Sequence, residues 1–365
     1  MSAAAATDTV LTRTVPSHLV GSVNQPDAES VLRLVAERLG GAAHVGAGGA
    51  VPRIPDGEVG ERFYWIQFQT LRFDATPGLE RVGEAGFRIR DRFDVRQFRV
   101  TGDVELPDLG YASAAIDSFE RFAALQDEGV IAPETRFQVS LPTPVAIVGA
   151  FLEPGSRSAF EPVYRDALRA ELERILAAVP HERLAIQFDA AVEFAILERD
   201  RGPAVALEPW WRGDALEGIV ERLTEAGAWV PEGVELGYHL CYGDVEEAHF
   251  VQPQDARHLA AVAKGVLATA RHRVDFLHLP VPIERDDAEY FAPLAAVAWG
   301  GTQVFLGLVH HEDGVSGALR RAAAARTAVP AFGIATECGF GRGPAERTAP
   351  LLDLHREIAA ALSVA

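Results

Sequence analysis

Apolar residues recur along this chain in two patterns that alternate almost from end to end. Short runs of about four to eight apolar residues, bounded by glycine, proline or charge, predict buried strands. Between them lie longer stretches in which apolar residues return every third or fourth position, the spacing of an amphipathic helix. In the second half of the chain the two patterns alternate regularly, which is typical of a parallel sheet covered by helices.

The elements that this pattern predicts extend over most of the chain. The predicted strands are His18–Val23, Leu184–Phe188, Val234–Leu240, Val274–Leu279, Thr302–Val309 and Ala331–Ala335, with extended segments within Phe137–Phe151. The predicted helices are Asp27–Leu39, Phe160–Val179, Asp214–Ala226, Gln254–Ala270, Asp286–Val297, Val315–Ala324 and Glu346–Leu362. Residues 41–62 and 72–112 are rich in glycine, proline and charge and are predicted to be long loops or an elaboration on the barrel, not a separate domain.

A single domain accounts best for these elements. No G-x-G-x-x-G or Walker sequence stands at a strand–helix junction, which disfavours the dinucleotide-binding and P-loop folds. We therefore predict an α/β fold, a single (β/α)8 TIM barrel with elaborated N-terminal loops, over residues 17–365. Residues 1–16 are rich in alanine and threonine and are predicted to be a flexible N-terminus.

Composition narrows the class of partner. Of the 365 residues, 48% are hydrophobic and 24% are charged, which is a globular composition. The formal net charge of −18 disfavours phosphate backbones and anionic lipid, so neither nucleic acid nor a membrane is expected as a partner. The chain shows no signal-peptide pattern at its start and no apolar run of membrane-spanning length, so a cytoplasmic protein is expected. The composition predicts no particular oligomeric state.

Both cysteines of the chain lie where a predicted strand ends. Cys241 belongs to His239-Leu240-Cys241, in which alternation along the chain puts the imidazole and the thiol on one side. Cys338 follows another strand, in Glu337-Cys338-Gly339. In a barrel the C-terminal ends of the strands face the active site. Zinc prefers imidazole and thiolate ligands, so a metal site is one interpretation, and two buried structural cysteines are the other.

These two segments resemble the zinc signatures of a known family, and other segments match it in the same order. His239-Leu240-Cys241-Tyr242 resembles an H-x-C strand end, and Glu337-Cys338-Gly339-Phe340 resembles a D-C-G-L segment. The further matches are His18-Leu19-Val20-Gly21-Ser22, Asp56-Gly57-Glu58, Thr101-Gly102-Asp103, Pro144-Val145-Ala146-Ile147, Ile186-Gln187-Phe188-Asp189 and Val309-His310. From about residue 18 onward, the chain resembles the C-terminal catalytic barrel of the cobalamin-independent methionine synthases, in the uroporphyrinogen decarboxylase/methionine synthase-like superfamily.

The resemblance implies a zinc-dependent transfer of a methyl or other alkyl group to a thiol. His239, Cys241 and Cys338 would bind Zn²⁺, and the metal would hold the acceptor thiol as the nucleophilic thiolate. The partners would be a small-molecule thiol acceptor, such as homocysteine, and an alkyl donor.

The resemblance also implies roles for residues around the metal. Glu58 and Asp189 match carboxylates that hold the amino group of homocysteine, and the backbone around Ser22 would receive its carboxylate. His310 matches a histidine that assists proton delivery to the leaving group, although His311 beside it is an alternative. The residues alone leave simpler interpretations open: Asp189 could cap a turn, Glu58 could be a solvated loop residue, and Ser22 could be an N-cap.

Two departures from the family pattern concern the metal ligands and the donor. The family's third zinc ligand is a glutamate at the end of the strand after H-x-C. Here that strand offers His278 or Asp275, Glu284 lies beyond it, and water is a further alternative. The family also places a pterin-contacting tryptophan after its P-V-T-I-L strand. Here the stretch is Val148-Gly149-Ala150-Phe151, so standard methyltetrahydrofolate is not the expected donor.

Other functions stay open at this point. A His-Cys-Cys set also resembles the epoxyalkane:coenzyme M transferases, in which a zinc-activated thiol adds to an epoxide-type electrophile. A metal-free, decarboxylase-like barrel is a further alternative, which the strand-end cysteines disfavour because decarboxylation needs no thiolate. A non-catalytic metallochaperone or corrinoid-accessory protein is the last.

Overall fold

A computed structural model of the chain describes residues 15–40, 52–60, 62, 65–89, 93–201, 207–243 and 248–364. Of the terminus predicted to be flexible, residues 1–16, only Val15 and Pro16 belong to the described part. The Val15 amide donates a hydrogen bond to the Ser363 hydroxyl at 3.1 Å. The Pro16 carbonyl accepts one from the Ile334 amide at 2.9 Å. These two residues are therefore attached to the body of the fold.

The described chain alternates strands and helices, as the pattern predicts. The strands are β1 (Arg53–Pro55), β2 (Leu79–Ile89), β3 (Phe93–Val100), β4 (Arg136–Pro142), β5 (Leu184–Ala190), β6 (Glu235–Leu240), β7 (Phe276–Pro280), β8 (Gln303–Gly307) and β9 (Gly333–Ile334). The helices are α1 (Ala28–Val35), α2 (Gln69–Asp74), α3 (Tyr111–Asp127), α4 (Pro144–Phe151), α5 (Arg157–Ala178), α6 (Val192–Leu197), α7 (Ala215–Gly227), α8 (Arg257–Thr269), α9 (Ala288–Phe291), α10 (Gly314–Ala325) and α11 (Ala345–Val364). None of the helices in the described ranges combines the length and the apolar character needed to cross a lipid bilayer.

One curled sheet organises the fold. Its strands are all parallel and lie in the order β1-β4-β5-β6-β7-β8-β9. Beside β9, Ser17 forms an isolated parallel bridge with Ile334. The large apolar core packs between the sheet and its helices. The predicted α/β architecture is confirmed in this form, a seven-stranded parallel sheet consistent with a TIM-like barrel.

The strand predicted over His18–Val23 is wrong, because this segment forms no strand in the structure. Its carbonyls bond to side chains of the sheet instead of to a neighbouring strand. The Gln138 side-chain amide donates to the Leu19 carbonyl at 3.1 Å. The Gln187 side-chain amide donates to the Val20 carbonyl at 2.7 Å. An apolar run predicts burial, but it does not show which groups satisfy the buried backbone.

Two further predictions are wrong in detail. The extended structure within Phe137–Phe151 ends with β4, and α4 follows at once. The helix begins there because the Thr143 side chain accepts from the Ala146 amide and Pro144 occupies the first turn. The predicted N-terminal loops contain β1 and an antiparallel hairpin of β2 and β3. Charged residues recur at short intervals in the hairpin sequence, so the sequence lacks the apolar runs by which strands are predicted.

Strand register brings three polar residues side by side near the C-terminal edge of the sheet. Asp189 on β5 pairs with His239 on β6, which pairs with His278 on β7. Residues at the same level of adjacent parallel strands point to the same face. All three side chains are buried. This row forms the floor of the candidate site.

Candidate metal centre

The residues predicted to bind metal come together in the structure. His239 lies in β6, Cys241 follows the end of β6, and Cys338 follows β9. Their ligand atoms all lie within 4.8 Å of one another. His239 and Cys241 are buried, and Cys338 is half-buried. The C-terminal ends of two strands thus present one imidazole and two thiols to a common point.

A chain of hydrogen bonds fixes the proton on His239. The His278 Nε2 lies 2.9 Å from the Thr336 carbonyl, which can only accept, so Nε2 carries the proton. Burial lowers the pKa of His278 to about 3, so its ring is neutral and its Nδ1 is an acceptor. The Nδ1 atoms of His278 and His239 are 2.7 Å apart, so His239 Nδ1 is the donor. His239 Nε2 therefore keeps a free lone pair.

This lone pair and its surroundings fit a metal ion. His239 Nε2 is buried and has no hydrogen-bond partner among the described residues. Burial, with the neighbouring imidazoles of His278 and His18 and the charge of Arg342, holds the pKa of His239 well below its usual value, so the ring is neutral as a ligand must be. The donor set of one imidazole and two thiolates is one that zinc prefers.

Each sulfur also has a hydrogen-bond donor close by. The Gly243 amide donates to the Cys241 Sγ at 3.3 Å. A terminal nitrogen of Arg342 lies 3.8 Å from the Cys338 Sγ. Donors and positive charge near sulfur favour the thiolate, the form in which cysteine binds a metal.

The three protein alternatives for a fourth ligand are placed differently. Both ring nitrogens of His278 are engaged, so it supports His239 from behind. Asp275 lies at the opposite end of the sheet, before β7, where its carboxylate accepts from the Leu236 amide at 3.0 Å. Glu284 follows β7 and is not part of the ligand cluster. Among the described residues, that cluster consists of His239 and the two cysteines.

Two buried carboxylates lie beside the metal ligands. The Gln187 side-chain amide donates to Asp189 Oδ1 at 2.8 Å and fixes its orientation. Burial, together with the nearby charge of Glu58, raises the pKa of Asp189 well above its usual range. Burial also raises the pKa of Glu58 to about 7, although the charges of Arg62 and Arg342 oppose the rise. A cation placed against both carboxylates would favour their charged forms.

Ser22 lies against both the carboxylate side and the metal side of the site. Its backbone amide donates to the Glu58 carboxylate. A Cβ on Gly339 would lie 2.8 Å from the Ser22 nitrogen, and a Cβ on Gly341 would lie 2.6 Å from the Ser22 Cβ. The loop that carries Cys338 therefore packs directly on the Ser22 backbone, which glycine alone permits.

His310 is the member of the His310-His311 pair that faces the site. Its Nε2 donates to the Val281 carbonyl at 2.9 Å, and its Nδ1 lies 3.8 Å from the Glu337 carboxylate. His311 is 43% exposed at its side chain and contacts Arg347. The structure thus brings His310 to the residue that precedes Cys338 and leaves His311 outside.

Two residues near the site carry no signal in the sequence. The His249 Nε2 lies 3.2 Å from the Glu337 carboxylate. Burial acts to lower the pKa of His249, but the bond and charge of Glu337 raise it overall. Trp65 has a φ of 57°, a strained value for a bulky residue, and its indole lies close enough to Asp189 to oppose the rise in that pKa. Both depend on loop conformations that periodicity does not predict.

Comparison with known proteins identifies the fold. The sequence matches no protein-family model and no curated protein. The structure is similar to a B12-independent methionine synthase from Shewanella sp. W3-18-1 in complex with selenomethionine, with a TM-score of 0.58 and 16% sequence identity over 96% of this chain and 98% of that chain. It also aligns with a methyltransferase from Methanosarcina mazei, with a TM-score of 0.49 and 15% identity over 96% of this chain and 95% of that chain. The predicted resemblance is confirmed at the level of the fold: this chain has the fold of a B12-independent methionine synthase.

Proposed function

We propose that this protein is a zinc-dependent methyltransferase whose acceptor is the thiol of an amino acid such as homocysteine. One observation carries the proposal: the ligand atoms of His239, Cys241 and Cys338 converge within 4.8 Å, beside two buried carboxylates. The similar methionine synthase binds selenomethionine, a methylated amino acid, which supports an acceptor of this class. We also propose that the sheet closes into an eight-stranded barrel, with the segment through Ser17 in the eighth position.

Zinc held by the His-Cys-Cys set would keep an acceptor thiol deprotonated at neutral pH, which makes it a nucleophile. The chain's own residues orient the reactants. Glu58 and Asp189 would hold the ammonium group of the acceptor, and the backbone around Ser22 would bind its carboxylate. His310 would deliver a proton to the leaving group of the donor. Its Nδ1 is the ring nitrogen open to this role, because Nε2 already donates to Val281.

The metal content of the purified protein tests the proposal. We expect stoichiometric zinc in the wild type and little zinc in Cys241→Ser, because a hydroxyl replaces a thiolate ligand poorly. His311→Ala is the matched control, since this exposed histidine lies next to the site residue His310 but outside the cluster. Atomic absorption on the three proteins gives the result. A wild-type protein that neither contains zinc nor binds added zinc would contradict the proposal.

Removal of one carboxylate should weaken the binding of the ammonium group. We expect Asp189→Asn to bind homocysteine about tenfold more weakly, because a charge-assisted hydrogen bond is lost while the shape and the Gln187 contact stay. The control ligand is 4-mercaptobutanoate, which is homocysteine without its amino group. The affinity for 4-mercaptobutanoate should be low in the wild type and no lower in the variant. Calorimetry on the zinc-loaded proteins measures both.

Equal wild-type affinity for these two thiols would contradict the assignment of Glu58 and Asp189. That result would favour an acceptor without an amine, such as a coenzyme M-like thiol.

We propose a donor other than methyltetrahydrofolate. The stretch that would carry the pterin-contacting tryptophan forms α4, in which Val148, Gly149 and Phe151 are buried, so it offers no aromatic surface to a pterin. Calorimetry with methyltetrahydrofolate should show weak or no binding to the zinc-loaded protein. Methylation of homocysteine by this donor at ordinary enzymic rates, about 1–1,000 s⁻¹, would show that the proposal is wrong.

A further inference from the structure

Arg342 carries a positive charge to the edge of the metal cluster. It lies in the loop between Cys338 and α11 and is half-buried. One terminal nitrogen of its guanidinium lies 3.8 Å from the Cys338 Sγ. The same charge acts on Glu58 and on His239. The guanidinium therefore lies beside the metal ligand Cys338 and close enough to Glu58 for its charge to act on that carboxylate.

The backbone holds this arginine in place. On one side of it, Gly341 packs so closely that a Cβ there would lie 2.6 Å from the Ser22 Cβ. On the other side, the Asn24 side-chain amide donates to the Gly343 carbonyl at 2.6 Å. The Thr348 hydroxyl, in α11, donates to the Asn24 carbonyl at 3.2 Å. The loop is thus fixed against the segment that contains Ser22, and a group on it can bind substrate in a defined position.

The charges of the site complement a zwitterion better than an ion of one sign. In their charged forms Glu58 and Asp189 would repel a simple anion, and Arg342 would repel a simple amine. An α-amino acid bears an ammonium and a carboxylate on one carbon, so it can present opposite charges to the two sides at once. A planar guanidinium can donate two parallel hydrogen bonds to the two oxygens of a carboxylate.

We propose that Arg342 selects an α-amino acid thiol by binding its carboxylate while Glu58 and Asp189 bind its ammonium group. The inference rests on the proposed function, in which the acceptor thiol binds at the metal. It adds a side-chain determinant to the backbone around Ser22 and defines the substrate class as zwitterionic thiols.

Paired ligands test this role on the zinc-loaded protein. Calorimetry compares homocysteine with 3-aminopropane-1-thiol, which lacks only the carboxylate, in the wild type, Arg342→Gln and Arg342→Lys. We expect Arg342→Gln to weaken homocysteine binding about tenfold or more and not to weaken the binding of 3-aminopropane-1-thiol, which loses a repulsive charge. The homocysteine affinity of Arg342→Lys should lie between those of the wild type and Arg342→Gln, because lysine keeps the charge but lacks the planar pair of donors. Damage to the fold or to the metal would weaken both ligands alike, so the ratio of the two affinities is the readout.

The outcomes separate the two proposals. The first outcome is that homocysteine binds the wild type, and that its advantage in affinity over 3-aminopropane-1-thiol is as large in Arg342→Gln and Arg342→Lys as in the wild type. This outcome overturns the role of Arg342 and leaves the proposed function standing. If neither thiol binds the zinc-loaded wild type, the proposed function fails, and the role of Arg342 fails with it.

Discussion

Replacing His278 with leucine is expected to weaken zinc binding about 10- to 100-fold without abolishing it. Hydrogen-bond partners behind a metal-binding histidine typically contribute this much affinity. In the wild type the Nδ1 atoms of His239 and His278 lie 2.7 Å apart. Leucine fills the space of His278 but cannot accept a hydrogen bond from His239 Nδ1. Without that acceptor the His239 ring is free to rotate or to take the other tautomer, in which Nε2 is protonated and cannot bind metal. Competition with a chromophoric zinc chelator measures the change.

His278→Asn is the matched variant for this experiment. Its side-chain oxygen can take the place of the histidine Nδ1 and accept from His239, so most of the affinity should return even though the bond to Thr336 is lost. Circular dichroism checks that both variants fold. If both variants lack zinc at saturating metal, His278 is itself a ligand and the tautomer argument is wrong. An unchanged zinc affinity in His278→Leu would show that the hydrogen-bond chain has no role.

The ligand cluster could be predicted because residue type and position agree. Cys241 and Cys338 are scarce, chemically distinctive residues, and each follows an apolar run that is recognisable as a strand. The ends of parallel strands meet at one edge, so proximity follows from the topology alone. The role of His278 as the acceptor behind His239 could not be predicted in this way. It depends on the register that pairs it with His239 and on a carbonyl of a third segment, Thr336, and neither has a sequence signature.

The fold was predictable where buried strands alternate with amphipathic helices. The pattern failed where local hydrogen bonds decide the conformation. Pro144-Val145-Ala146-Ile147 is apolar and matches a strand of the family, yet it forms a helix because Thr143 caps it. A capping signal rests on one side chain, so a prediction from hydrophobic pattern easily overlooks it. The same threonine has a second partner that periodicity gave no reason to expect, the buried carboxyl of Glu193.

Replacing Glu193 with glutamine is expected to make the stability of this protein less dependent on pH. Glu193 is 1% exposed and accepts a hydrogen bond from the Thr143 hydroxyl. Burial raises its pKa from 4.5 to about 7, although the Thr143 bond and the charge of Arg222 oppose the rise. Between these values the unfolded chain loses the proton and the folded protein keeps it. The free energy of unfolding therefore falls as pH rises through this window, by about 3 kcal/mol from this group.

Glutamine resembles the protonated acid, because it can accept from Thr143 and carries no charge. The wild type and Glu193→Gln should therefore have similar stability near pH 4.5, and the variant should be more stable by about 3 kcal/mol at pH 8. Urea unfolding at both pH values measures the difference, in which the shifts of other titrating groups cancel. Glu120→Gln, at an exposed position in α3, is the control and should give no such divergence. If wild type and Glu193→Gln have equal stability at both pH 4.5 and pH 8, this carboxyl ionises as readily in the folded protein as in water.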